Sequence, residues 1–147
     1  MMIKIILASK SGVRKQILNK NGIDCEVIPA NINEDQIKES LLKEKATPKL
    51  ISKNLAELKA NKVSEKKFNE IVLGADSVID LNGKLISKPT NRKEALNILK
   101  ELNGQRHQLI SSVCISKNGS MMWNFTDSSN LTMKKLNLNE IKSYLAK

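Results

Sequence analysis

The sequence predicts a single α/β domain spanning residues 1–147, with a mixed sheet and flanking helices. Three observations predict it. Short apolar runs that end in small-residue turns alternate with segments of helical spacing. Two Asn-Gly pairs, Asn82-Gly83 and Asn118-Gly119, stand between apolar stretches and signal hairpins. With 147 residues and 40% hydrophobic content, the chain can build one real core and has no room for a second full domain.

The elements follow in order. Ile3 to Ser9 is an apolar strand; Lys10-Ser11-Gly12 is a turn; Val13 to Leu18 has helical spacing. Thr47-Pro48 starts a helix, because proline is tolerated at the first helical position, and Leu50, Ile51, Leu55 and Leu58 give it an apolar stripe. Lys59 then falls in its last turns. Asn69 to Asp80 reads as a strand, and the Asn82-Gly83 turn folds Lys84 to Ile86 back on it, carrying Lys88 toward Asp76. Asn91 with Glu94 resembles a capping box, and Ala95, Leu96, Leu99 and Leu102 form the buried face of the next helix. His107 to Ile115 and Met121 to Met133 are strands, and a final helix begins at Asn137.

Composition narrows the functional classes. The formal charge of +10 invites a basic nucleic-acid-binding domain, but arginine occurs only at Arg14, Arg92 and Arg106, so 22 of the 25 basic residues are scattered lysines. Only 3% of residues are aromatic, which leaves few platforms for stacking bases, so nucleic acid is not the expected partner. The charge suits solubility and the attraction of anionic nucleotides. No apolar stretch approaches a membrane span, and the N-terminal run turns polar too soon for a signal peptide. Cys25 and Cys114 are isolated, which predicts reduced thiols in a cytoplasmic protein and no zinc site.

Two segments carry chemistry. Asp76 emerges from the apolar run Ile71 to Ile79 just after Gly74-Ala75, and a carboxylate so placed is costly unless it is hydrogen-bonded, paired or bound to metal. The two small residues are expected to keep its approach free for a ligand. Ser9 and Ser11 supply hydroxyls beside a helix start, with Arg14 and Lys15 as cations, and together they make a phosphate cradle. Each has a plainer alternative: Asp76 as a turn acid, and Ser11 as an N-cap with surface cations around it. His107, the sole histidine, sits between Arg106 and a strand and reads as structural.

The segments together resemble the Maf family of nucleoside triphosphate pyrophosphatases. Leu7-Ala8-Ser9-Lys10-Ser11 is similar to the signature that opens the family, and Pro29 to Glu34 to its proline-containing segment that ends in glutamate. Leu55 to Ala60 resembles its helix with a Lys-Ala pair, Leu73 to Ser77 its Gly-Ala-Asp-Thr block, and Gly83 to Pro89 its Gly-Lys-Pro block. Arg92 to Ala95 and Leu102 to His107 resemble the helix and turn that follow. There are departures. Gly12-Val13-Arg14 stands where the family usually has Pro-Arg-Arg, Ser77 replaces threonine but keeps the hydroxyl, and Asn33 stands where an acid is common.

The resemblance implies a Maf and inosine triphosphatase-like two-lobed cleft. It implies hydrolysis of nucleoside triphosphates, dTTP, UTP or modified nucleotides, to monophosphate and pyrophosphate. Asp76 would be the catalytic base. Ser9, Ser11, Arg14, Lys15, Glu34, Lys59, Ser77 and Lys88 would bind substrate, and Asp76 with Glu34 would hold Mg²⁺ or Mn²⁺. The family's last strand segment, with its lysine and glutamine, is absent from the sequence. The expectation is therefore a wider, wetter cleft, slow turnover with poor base discrimination, and a homodimer or aggregate through an open sheet edge. A nucleotide-binding module of the same fold with little turnover is the alternative.

Overall fold

The computed structural model describes residues 3–146; Met1, Met2 and Lys147, which the sequence reading included in the domain, lie outside the described residues. Strand β1 (Ile3–Leu7) leads into helix α1 (Gly12–Lys20) and then strand β2 (Ile23–Val27), which lies parallel to β1 with Ile5 opposite Cys25. Strand β2 is not among the elements predicted from the sequence, because its alternating run, Ile-Asp-Cys-Glu-Val, is only five residues long. Helix α2 (Glu34–Lys43) and the long helix α3 (Pro48–Ser64) follow. Strands β3 (Val72–Leu81) and β4 (Lys84–Ile86) form the first expected hairpin. After helix α4 (Arg92–Leu102), strands β5 (Arg106–Lys117) and β6 (Ser120–Thr132) form the second, and helix α5 (Leu138–Leu145) comes last. Each helix opens on a hydroxyl or amide cap: Ser11, Asn33, Thr47, Asn91 and Asn137. At α4 the capping box is not closed. Glu94 Oε2 instead accepts from the backbone N–H of Thr90 at 2.9 Å and from its hydroxyl at 2.8 Å.

The sheet runs β2-β1-β3-β5-β6, with β4 beside β3. Its parallel part comes first in the chain, and its antiparallel part is built from the two hairpins, so the sheet is mixed as expected. β6 is an edge strand and most of its residues are exposed. Trp123 and Phe125 stack on its outer face with ring centroids 6.1 Å apart.

Helix α3 covers one face of β3 and β5, and the way it seats differs from the expected leucine stripe. Leu50 and Leu58 are exposed. The buried face runs instead through Ile51, Leu55 and Val63 and through the small residues Ser52, Ala56, Ala60 and Ser64, spaced one helical turn apart. Small side chains let the helix axis approach the strand. Gly74 of β3 completes the fit: a Cβ there would overlap the Ala56 carbonyl oxygen and come within 2.8 Å of the Ala60 nitrogen. Gly74 thus makes room for the helix, not for a ligand as the sequence suggested, because its empty side faces α3. The buried serines are satisfied, Ser116 Oγ donating to Asn61 Oδ1 at 2.5 Å and Ser64 Oγ accepting from Gly119 N at 2.9 Å.

Candidate active site

The cleft exists because β3 is longer than its neighbours on one side. One edge of β3 pairs with β5 continuously, from Val72 opposite Ser116 to Asp80 opposite Gln108. The other edge meets β1 only at Val72 and Leu73, and β4 only from Ile79 to Leu81. Gly74 to Val78 therefore face no strand there, and a cavity of about 680 Å³ opens between the end of β1, α2, α3 and the β4 hairpin. Backbone groups along such a gap need other partners. Ala75 O finds one in Lys59 Nζ at 3.2 Å, and Ser52 Oγ donates to Asp76 O at 3.1 Å.

One wall is the turn after β1. Ser9 is buried, and its Oγ accepts from Ser11 N at 3.2 Å and from Arg14 Nη1 at 2.8 Å. Ser11 Oγ caps α1 by accepting from Arg14 N at 3.3 Å. The far side of the guanidinium, Nη2, reaches Ser77 Oγ at 3.4 Å, and Ser77 Oγ in turn lies 2.9 Å from Ser111 Oγ. Arg14 is thus held flat across the mouth between β1 and β3, its planar fork pre-set before any anion arrives. The plainer reading of Ser11 as an N-cap is also correct, since one hydroxyl does that work within the cleft wall.

The floor is built from three distant segments. Asp76 is buried on β3, Glu34 stands at the first position of α2, and Lys59 reaches between them from α3. Lys59 Nζ lies 2.5 Å from Glu34 Oε1 and 3.3 Å from Asp76 Oδ1. The contact with Glu34 is a close ion pair, and Asp76 Oδ2 is buried with no hydrogen-bond partner. The two carboxyls respond oppositely. Burial pushes both up; at Glu34 the Lys59 ammonium, with Lys38 and Arg14 beyond it, outweighs burial and holds the group below the ordinary glutamate value. At Asp76 burial outweighs the pull of Lys59 and Lys38, with some help from the Glu34 charge, and the carboxyl is raised.

Ser9, Ser11, Arg14, Glu34, Lys59, Asp76, Ser77 and Lys88 all line the cleft, as the sequence proposed. Lys15 does not. It follows Arg14 on α1, and about 100° of helical rotation turns it away into solvent. Asn33 caps α2, accepting from Gln36 N at 3.1 Å, so Glu34 at the first helical position is free to face the floor. Lys38 was missed. It lines the cleft one turn after Glu34 on α2, and its charge acts on both carboxyls. The spacing of four would have revealed it had α2 been read as a helix from Glu34. His107 lies outside the cleft, its Nδ1 3.3 Å from Gln105 O.

Among the described residues there is no cluster of three or more His, Cys, Asp or Glu side chains that would hold a metal by itself. Asp76 and Glu34 are a pair, and Asp76 Oδ2 is a buried oxygen without a partner. That donor set fits a hard cation such as Mg²⁺, which takes one or two carboxylates and completes its shell with waters and substrate phosphates. Also among the described residues, no helix is long and apolar enough to cross a membrane. Cys25 and Cys114 are buried and free.

The profile of one protein family, described as Maf-like protein, matches residues 4–147. A protein of Pelagibacter ubique named nucleoside triphosphate pyrophosphatase is 66% identical over all of this chain and 75% of its own length. One of the same name from Ruegeria pomeroyi is 37% identical over all of this chain and 74% of its own. A Brucella abortus protein named 7-methyl-GTP pyrophosphatase is 33% identical, again over all of this chain and 74% of its own length. Among solved structures, a HAM1 protein from Coxiella burnetii superimposes with a TM-score of 0.51 at 14% identity, covering 88% of this chain and 71% of that one. The Staphylococcus aureus Ham1 protein gives a TM-score of 0.50 at 17% identity, covering 86% of this chain and 70% of that one. At those identities the likeness concerns the fold alone.

Proposed function

Because the chain belongs to the Maf-like protein family, we propose that it hydrolyses nucleoside triphosphates to the monophosphate and pyrophosphate, in the cleft along the open edge of β3. One observation supports this above the rest: Asp76 presents a buried carboxylate oxygen, Oδ2, with no hydrogen-bond partner, in a cleft whose lining also carries the hydroxyls of Ser9, Ser11 and Ser77 and the cations Arg14, Lys38, Lys59 and Lys88. An acyl or glycosyl substrate would have little use for so many cations; a triphosphate would use them all.

Arg14, with Ser11 and the backbone of the turn, holds the triphosphate at the mouth. Asp76 is the general base. In the empty cleft its Oδ1 meets Lys59, and its partnerless Oδ2 is the oxygen that takes a proton from water as that water's oxygen bonds to the α-phosphorus. The bond from the α-phosphorus to the oxygen that bridges to the β-phosphate breaks, and pyrophosphate leaves with the electron pair. Lys59 and Lys88 offset the charge that grows on it. A carboxyl raised by burial is a stronger base than an ordinary aspartate. Asp76 and Glu34 would hold a divalent ion, Mg²⁺ or Mn²⁺, which supplies Lewis-acid charge at the phosphates when bound.

The preferred nucleotide is taken to be a pyrimidine triphosphate such as dTTP or UTP, or a modified nucleotide; the relative named for 7-methyl-GTP supports the second class. Free thiols at Cys25 and Cys114 suit action in the cytoplasm. The exposed edge of β6, with Trp123 and Phe125 half exposed, supports self-association, which sedimentation would count. The deciding assay follows products across nucleotides with Mg²⁺ and Mn²⁺ in ¹⁸O water. Equal monophosphate and pyrophosphate, with the label in the monophosphate, is expected. Release of inorganic phosphate, or label in the pyrophosphate, would overturn the reading.

A further inference from the structure

We propose that the Lys59 ammonium is a built-in place-holder for the divalent cation, seated between Asp76 and Glu34 until metal and triphosphate arrive, when it is handed over to the phosphates. The inference rests on the pyrophosphatase reading but adds a role that the reading does not require.

Three oxygens from two segments, α2 and β3, surround Nζ: Glu34 Oε1 at 2.5 Å, Ala75 O at 3.2 Å and Asp76 Oδ1 at 3.3 Å. The Lys59 side chain is only 12% exposed, so the ammonium sits inside the floor rather than waving over it. An ammonium bonds along three N–H directions, and here they serve Ala75 O, Asp76 Oδ1 and the close ion pair with Glu34 Oε1, with none left for Asp76 Oδ2. Asp76 Oδ2 gains nothing from it. A divalent ion has no such directions and carries twice the charge, so the same oxygens suit it better. Without Lys59, however, the buried Asp76 carboxylate and the part-exposed Glu34 carboxylate would face each other with nothing between them, which like charges resist. The lysine therefore makes the empty cleft tolerable, and it must be displaced before the floor can hold a metal. Once displaced, it is a free cation beside the bound phosphates. Metal and triphosphate then favour each other's binding, because the first frees the lysine that the second uses.

The test measures Mn²⁺ binding by electron paramagnetic resonance, at pH 8 and without nucleotide, to the intact chain and to Lys59→Met and Lys59→Gln. Removing the competitor is expected to tighten Mn²⁺ binding roughly 5–150-fold, the usual span of coupling between two ligands. Adding Asp76→Asn to Lys59→Met should abolish the gain. Unchanged or weaker Mn²⁺ binding in folded Lys59 variants would overturn the proposal. The unmodified chain provides a second reading should the variants not fold. Reductive methylation with formaldehyde, mapped by mass spectrometry, should be slow at Lys59 without metal and faster with saturating Mn²⁺. Protection that persists under Mn²⁺ would also overturn it. Neither measurement needs turnover. An inactive chain that shows both effects would defeat only the pyrophosphatase reading, and an active chain that shows neither would defeat only the place-holder.

Discussion

The two sides of the cleft are built in opposite ways. The wall formed by Ser9, Ser11 and Arg14 lies within six residues, and most of its hydrogen bonds span five positions or fewer. The floor gathers Glu34, Lys59 and Asp76 from α2, α3 and β3, and its contacts span 17 and 25 positions. The wall forms with its turn and arrives pre-organised. The floor exists only when α3 is seated on β3, so its geometry depends on a packing interface that itself touches no substrate. Chemistry sits on the side with the more demanding assembly, because burial, with a like charge nearby, raises a carboxyl toward the range where a base is useful.

The sharpest way to break the comparison is at Asp76. Asp76→Asn is expected to lower kcat roughly 10²–10⁴-fold in the product assay while the protein stays folded. Stability should move the other way. A carboxyl whose folded-state pKa is raised contributes stability that is full below its unfolded pKa and is lost as pH rises through the folded value, so at neutral pH the native Asp76 is a cost. The asparagine variant should therefore melt no lower than the parent at pH 8, and a marked drop in Tm would count against the burial argument. For Glu34 the sign reverses: its lowered pKa contributes stability at neutral pH that is lost as pH falls through the folded value. The acid limb of kcat/KM should accordingly lie above the ordinary aspartate range, and a limb at or below that range would remove Asp76 as the base.

Gly74→Ala tests whether the floor depends on the seating of α3. Its Cβ would strike the backbone of Ala56 and Ala60, so a loss of about 1–3 kcal/mol in denaturant titrations is expected, with kcat falling further than KM rises. An unaffected Gly74→Ala enzyme would show that the interface has slack. On the wall side, Arg14→Ala should raise KM for triphosphates roughly 10–100-fold, the worth of charge-assisted hydrogen bonds, and leave binding of the free nucleoside nearly unchanged. Equal losses for both ligands would mean that the turn does not meet phosphate. Lys15→Ala is the smallest expected effect, within about twofold in KM, because the side chain lies outside the cleft. A loss comparable with that of Arg14→Ala would restore Lys15 to the site.

What could be read from the chain follows the same division. Hairpins at Asn82-Gly83 and Asn118-Gly119 were legible because residues 82 and 118 need a positive φ that asparagine tolerates, at 51° and 52°. The Ser9 to Arg14 turn was legible because its chemistry is contiguous, and Asp76 because a lone acid in an apolar run is conspicuous. Strand β2 was not, being only five residues long, and neither was Lys38, whose meaning depends on a helix that brings it one turn from Glu34.

The sequence by itself determined the two hairpins, the helices α1, α3, α4 and α5 with their caps, and which residue types carry charge, since those depend on neighbours within a few positions. Only the tertiary structure decided that Gly74 serves α3 rather than a ligand, that Lys15 turns away, and that Lys59 stands between two carboxylates whose pKa values shift in opposite directions. Burial and distance across the chain set those outcomes. Both are properties of the packed interface between α3 and β3, which no local pattern encodes.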